Sequence, residues 1–323
     1  MQGLVSTIIP VYNRAEMLLE AVQSVLKQTY RPIEIIIVDD GSTDETPTYA
    51  QKLSDKHNEV SLITINNSGP GVAREAGRLI SKGEFIQYLD SDDLLMPDKF
   101  HLQVKGLNDH AECVLSYCMT SVEIISENKT SLAWKRTGEK IDTILPSMLA
   151  ERWWGTSTPL YRSVITDKAG PWKEWVNEED WEYDCRIGSL GGSLHYVPTT
   201  LSLQRHHDES RLSNDGSSNP IKLRSRAKAH QEIINHAIKY GIGCDSLEFC
   251  ILIKSTFLLS RQCGAVGLVT ESNDLFHLAK KHLLLCDQSK TQLALYELGS
   301  NLLGWRNMGK LSALLDRFRW IKP

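Results

Sequence analysis

The sequence predicts an α/β protein with a mostly parallel, helix-covered sheet, followed by a helical C-terminal region. Three observations carry that prediction. Short β-rich apolar runs alternate with segments of helical periodicity through residues 1–120. One run, IEIIIVDD (33–40), is too apolar for a strand with a wet face, as expected of a central parallel strand covered on both sides. Polar clusters also recur just after the strands, where open parallel sheets bind their ligands.

The elements follow in order. LVSTIIPV (4–11) reads as the first strand. Residues 14–28 follow as a helix, with Met17, Leu18, Ala21, Val22, Val25 and Leu26 at helical spacing. The second strand is 33–40, residues 44–57 read helical, and VSLITIN (60–66) is the third strand. A helix over 72–82 leads to FIQYLD (85–90). Another helix over 97–108, opened by Pro97 in its first turn, leads to CVLSYCMT (113–120). This βαβαβαβαβ order predicts the parallel sheet. Residues 121–215 are mixed and rich in tryptophan, NDGSSNP (214–220) resembles a linker, and the remainder reads almost wholly helical. A boundary is therefore expected near 216, giving a sheet domain over 1–215 and a helical accessory region over 216–323.

Composition narrows the function classes. The chain has 323 residues and a net charge of −4. Residues 1–215 carry 21 basic and 32 acidic side chains, whereas residues 216–323 carry 15 and 8. An acidic front half argues against nucleic acid as a ligand. The basic rear suits docking on the acidic half, dimerisation, or peripheral contact with an anionic membrane. Its end, LLDRFRWIKP (314–323), interleaves basic and aromatic residues, which fits either such a surface or plain amphipathic packing. No run reaches the ~18 uninterrupted apolar residues of a membrane span. The nearest, Leu247 to Leu259, contains Glu248 and Lys254. The N-terminus lacks a basic leader and cleavage site. Seven cysteines without a CxxC pair suit a reducing compartment, so a cytoplasmic location is expected.

Five motifs carry chemistry, each beside a plainer reading. After the first strand come Pro10, Tyr12 and Asn13. VDDGSTDET (38–46) ends a strand in Asp39 and Asp40, which suit either a helix cap or acceptance of nucleotide N–H and hydroxyl groups. SGPGVAREAG (68–77) fits neither a dinucleotide nor a P-loop fingerprint; it reads as a plain loop with a surface arginine, or as a loop whose glycines admit a ligand and whose Arg74 suits a phosphate. LDSDDL (89–94) clusters Asp90, Ser91, Asp92 and Asp93. Like charges this close repel, so the cluster is either a solvated turn or the seat of a cation, for which Mg²⁺ or Mn²⁺ is the hard-oxygen choice. NEEDWEYD (177–184) reads as an acid-rich helix start after Asn177, or as a carboxylate raised by aromatic walls toward a general base. LQRHHDESRLS (203–213) sets Arg205, His206 and His207 together, as surface residues or as metal and phosphate contacts.

Together these residues resemble the family 2 glycosyltransferases, inverting nucleotide-sugar enzymes of the GT-A fold. STIIPVYNR (6–14), IEIIIVDDGSTDET (33–46), GPGVAREAG (69–77), GEFIQYLDSDDLLMPDKF (83–100), EDWEYD (179–184) and RHHDESRLS (205–213) carry the resemblance. It implies that Pro10, Tyr12, Asn13, Asp39, Asp40, Arg74, Asp90, Ser91 and Arg205 bind the nucleotide sugar. Asp92, Asp93 and His207 hold Mn²⁺ or Mg²⁺, with the choice between His206 and His207 left open. Asp180 is the base, with Glu179 beside it, and Trp153 and Trp154 in the acceptor-side segment stack on a sugar. The implied partners are a UDP-, GDP- or dTDP-sugar and a glycan or lipid-linked acceptor. Glu75 departs from the family, which commonly has asparagine after the arginine. The competing reading is a relative that binds nucleotide sugar or glycan without catalysis.

Overall fold

The computed structural model describes residues 1–127, 129–131, 134–206, 216–285 and 290–319. Elements run β1 (Val5–Val11), α1 (Ala15–Leu26), β2 (Ile33–Asp39), α2 (Thr46–Lys56), β3 (Val60–Thr64), α3 (Pro70–Ile80), β4 (Phe85–Tyr88), β5 (Leu94–Leu95) and α4 (Lys99–Asp109). They continue with β6 (Cys113–Ile124), β7 (Lys129–Ser131), α5 (Ser147–Ala150), β8 (Leu160–Arg162), α6 (Ser163–Ala169), α7 (Glu179–Gly188) and β9 (Ser193–His206). The remaining helices are α8 (Pro220–Lys239), α9 (Leu247–Val266), α10 (Val269–Leu285), α11 (Lys290–Leu303) and α12 (Trp305–Arg319).

The strands form one sheet in the order β3-β2-β1-β4-β8-β6-β9-β5, with β7 paired to β6. β1 lies parallel to both β2 and β4, and β2 parallel to β3. β8 inserts antiparallel between β4 and β6, and β6 then runs parallel to β9 through three register irregularities. All seven residues of β1 are buried, as a strand covered on both faces requires. Helix α1 closes one face through Leu18, Ala21, Val22 and Val25, its i, i+3, i+4, i+7 stripe. Helix α3 lies so close to β1 and β2 that a Cβ on Gly77 would stand 2.4 Å from Ile8 Cγ2.

Two compact units emerge. The first comprises Met1–Ile144, Arg152–Trp175 and Leu190–Glu209; the second comprises Leu145–Glu151, Val176–Ser189 and Ser210–Pro323. Two segments from the front of the sequence therefore fold with the C-terminal helices. In this second unit, Leu223, Ala227, Leu259, Cys263, Leu268 and Leu275 form an apolar centre. Asn219 and Ser246 cap α8 and α9 by accepting hydrogen bonds from backbone N–H groups of the first turn. Helix α9 extends the apolar run read from the sequence to 20 residues, long and apolar enough to cross a membrane, with 56% of the most apolar stretch buried inside the protein. It packs against α5, α8, α10 and α12, as the central helix of its unit. The terminal residues 320–323 of the basic and aromatic stretch lie outside the described residues.

Candidate functional site

The parallel register aligns the ends of three strands in the first unit. Val11 pairs with Asp39 at the end of β1 and β2, while β4 stops at Tyr88, opposite Ile8. The loops that follow carry Tyr12 and Asn13, Asp39 to Ser42, and Asp90 to Asp93. Pro10 is tolerated in a central strand because its side toward β4 lies past the end of that pairing. Tyr12 is 43% exposed. Asn13, in the left-handed region at φ 51°, clasps the neighbouring loop: its N–H donates to Ser42 Oγ at 3.0 Å, and its Oδ1 accepts from Thr43 N at 2.8 Å.

The adjacent aspartates Asp39 and Asp40 have different environments. Both Asp40 oxygens accept backbone hydrogen bonds, from Ser68 N at 2.7 Å and Gly69 N at 2.9 Å, and burial pushes its carboxyl upward. Asp40 therefore anchors the loop that opens α3. Asp39 is fully buried; Oδ1 accepts from Ser42 N at 3.1 Å, and Oδ2 meets no donor among the described residues. A buried carboxylate oxygen without a donor is costly unless a ligand supplies one.

The acidic turn at 90–93 is neither a bare solvated turn nor a cluster of unanswered charges. Arg74 donates to Asp90 Oδ1 at 2.8 Å, and Arg14 to Asp92 Oδ2 at 2.6 Å. The cations that answer the repulsion are thus arginines from α3 and from the loop before α1. Asp93 is buried; it accepts from Ser157 Oγ at 2.8 Å and from Arg205 N at 3.2 Å. Burial first, then the charges of Asp92 and Asp90, push its carboxyl well above the ordinary carboxylate range. Ser91 is buried. Arg205, at the end of β9, donates through Nε to the Asp92 carbonyl at 2.5 Å and pairs with Glu20. Arg74 is buried beneath the Trp172 ring at 4.8 Å. Glu75 accepts from Arg78 at 2.7 and 2.9 Å and from Trp172 N at 3.3 Å.

The second unit carries the other acidic motif. Glu178 precedes α7 in the left-handed region at φ 62°; Glu179 is buried, and Asp180 Oδ1 accepts from Trp181 N at 2.8 Å. Glu182, with its side chain fully buried, accepts from Arg186 and His236, each at 2.9 Å. Burial pushes that carboxyl up, but the hydrogen bonds and charges of His236 and Arg186 outweigh it and hold it below its ordinary value.

Several expectations change. Trp154 is fully buried with its ring 5.0 Å from Tyr117, and Trp153 is 4% exposed beneath the Arg136 guanidinium, 3.9 Å away. Both are core residues, and neither presents a face to a sugar. Asp93 points inward to Ser157 and the Arg205 backbone, so it offers no open oxygen pair to a metal. His206 ends β9, and His207 lies outside the described residues. The sequence reading missed Arg14, Ser157 and Trp172. For Arg14 a signal existed, since it directly follows the Tyr12–Asn13 loop; Ser157 and Trp172 arrive through long-range pairing and had none. Among the described residues, no group of three or more His, Cys, Asp or Glu side chains forms a metal cage. Asp90, 34% exposed, and Asp92, 17% exposed, both already paired with arginines, are the carboxylates that could hold a hard cation, whose remaining ligands would have to come from phosphate and water.

A largely parallel sheet with polar loops and an arginine-paired acidic turn at its carboxyl edge is the architecture of GT-A folds, a class that the known proteins similar to this chain share. Residues 6–158 match the model of glycosyl transferase family 2. That match lies on the sheet-forming front of the chain and covers just under half of its length. An uncharacterized glycosyltransferase of Rickettsia typhi is 38% identical over 213 residues, 64% of this chain and 64% of that protein. Glycosyltransferase GlyG of Streptococcus pneumoniae is 41% identical over 96 residues, 29% of this chain and 32% of that protein. The chain thus spans less than two thirds of the length of these relatives. The crystal structure of S. aureus TarS 1-349 shares the fold, with a TM-score of 0.69 at 17% identity, covering 97% of this chain and 91% of that one. The same TarS fragment in complex with UDP-GlcNAc gives 0.62 at 18% identity, over 86% and 87% of the two chains.

Proposed function

We propose that this protein transfers a sugar from a nucleoside-diphosphate donor to a hydroxyl of a glycan or lipid-linked acceptor, inverting the anomeric centre. One observation carries the reading: Asp39 Oδ2 is a buried acceptor with no donor among the described residues, at the carboxyl edge of the sheet where a nucleotide base with an N–H would satisfy it. The S. aureus TarS complexes with UDP and UDP-GlcNAc support a uridine donor for this fold. Free thiols at six cysteines among the described residues suit the cytoplasm.

On this reading Asp39 orients the base, Tyr12 and Asn13 border it, and Asp90 accepts from the ribose hydroxyls. Arg14, Arg74 and Arg205 bring positive charge to the diphosphate side. Asp92, with His207, would hold a Mn²⁺ or Mg²⁺ ion, whose chemistry would be to stabilise the departing diphosphate. Asp180 takes the proton of the acceptor hydroxyl as that oxygen bonds to the anomeric carbon and the bond to the diphosphate oxygen breaks. No enzyme nucleophile is needed.

The test is a thermal-shift screen of UDP-, GDP- and dTDP-sugars with Mn²⁺ or EDTA, paired with an assay of nucleoside diphosphate release. Metal-dependent stabilisation and turnover by at least one donor are expected. Full turnover in EDTA would remove the role given to Asp92, and no response to any donor would remove the reading.

A further inference from the structure

Arginine and histidine side chains of α8 converge on the segment that presents Asp180. Arg226 donates from Nε to Glu178 Oε1 at 2.7 Å, and its Nη1 reaches the Gly216 carbonyl at 3.1 Å and Gln262 Oε1, on α9, at 3.3 Å. The guanidinium is thus fixed on three sides. His230 is buried; its Nε2 lies 3.5 Å from Glu178 Oε2, while its Nδ1 meets Thr256 Oγ1 at 2.9 Å. One turn above Arg226 on the same face, His230 also receives the edge of Trp181, with ring centroids 5.4 Å apart. Trp181 donates from its indole to the Met148 carbonyl at 2.7 Å and from its backbone to Asp180 Oδ1. Val176 N–H, with Ser225 Oγ at 3.4 Å, and Glu182, with His236, extend the seam on either side.

Glu178 holds the left-handed backbone at φ 62°, ψ 15° that turns the chain into α7, two residues before Asp180. A side chain with a Cβ adopts that conformation only when its surroundings over-determine it. Here the surroundings are Arg226 and His230.

We propose that α8 is the positioning element for the proton acceptor: Arg226 and His230, acting through Glu178, fix the turn from which Asp180 is presented. The inference rests on Asp180 being the base. It gives the C-terminal helices a catalytic purpose that the family match, which ends at residue 158, does not cover.

The test uses the full chain with Arg226→Gln, Arg226→Lys and the gentler Thr256→Val, which removes the partner of His230 without changing shape. Two readouts are taken: amide hydrogen exchange over residues 176–183, and kcat and KM with UDP-GlcNAc, followed by UDP release. For Arg226→Gln, exchange at residues 178–181 at least tenfold faster is expected, with kcat at least tenfold lower and KM within twofold of wild type. Arg226→Lys should recover much of both, and Thr256→Val should move both in the same direction by less. On an Asp180→Asn background, Arg226→Gln should cost little more turnover, because both act on one group. Unchanged exchange at 178–181 in Arg226→Gln, or a kcat loss that adds in full to Asp180→Asn, overturns the proposal. Should Arg226→Gln not fold, Thr256→Val decides by the same criteria. Wild-type turnover in Asp180→Asn would instead overturn the base reading, and the exchange readout would still decide whether α8 positions the turn.

Discussion

Each unit of this chain concentrates carboxylates over a few residues, and the two clusters solve the repulsion differently. At residues 90–93 the answering charges are arginines, and the side chains of Asp90 and Asp92 keep 34% and 17% of their surface open. At residues 178–184 the partners come largely from α8 and α7 itself; Glu178 keeps 20% of its side-chain surface, but Glu182 keeps none, and the contrast is sharpest between Asp90 and Glu182. An open pair exchanges partners readily, because water and ligands compete for the same oxygens. A closed pair is permanent, because removing one member strands a buried charge. The first arrangement suits groups that must meet an incoming ligand. The second suits groups that must not move.

The largest expected effect is catalytic. Asp180→Asn should lower turnover by roughly 10²–10⁴-fold with donor affinity unchanged, the range for losing a general base; calorimetric titration of donor beside a rate assay checks it. Next is Glu182→Ala, which leaves His236 and Arg186 facing an empty buried site and should cost about 3–5 kcal/mol in urea unfolding. A cost under ~1 kcal/mol would erase the contrast between closed and open clusters. The same cluster should show its closure in pH. Burial, and behind it Arg226, pushes His230 down to about 3 from 6.5. The folded state thus holds the imidazole neutral while the unfolded chain takes up a proton. The associated stability is complete above pH ~6.5 and drains as pH falls toward 3. His230→Gln should flatten stability between those limits, read from unfolding midpoints at several pH values. Gly77→Ala should cost about 1–3 kcal/mol through overpacking against Ile8. The smallest effect is expected from Arg14→Gln, about 1–2 kcal/mol of stability, between an exposed and a fully buried pair, because Arg14 and Asp92 keep 16% and 17% of their side-chain surface; donor KM should rise with it.

Much of this was legible from local pattern. The five strands and four helices expected over residues 1–120 lie within a few residues of their periodicity-based bounds, the two-residue β5 was not foreseen, and the acidic turn sits at the sheet edge as expected. Non-local pairing was not legible. Strand β9 joins β6 across about eighty residues with bulges that disguise its alternation, which is part of why residues 121–215 read as mixed. Burial of Trp153 and Trp154 follows from the packing of that same region, which no short window reports. Arg74 and Asp90 are sixteen residues apart, Arg14 and Asp92 seventy-eight, and charge type alone does not say who meets whom. The left-handed Glu178 was hidden for a related reason: nothing in NEEDWEYD announces a conformation imposed by a helix more than forty residues downstream.

The unmet oxygen of Asp39 has one more consequence, for selectivity. An ionised carboxylate only accepts, so it welcomes a ring nitrogen that bears hydrogen and repels one that bears a lone pair. Uracil, thymine and guanine each present an N–H on their pairing edge; cytosine presents a bare nitrogen at the matching position. On the proposed reading, this atom favours the three bases with a ring N–H over cytosine, whose bare ring nitrogen repels it and leaves only the neighbouring exocyclic amino group to donate.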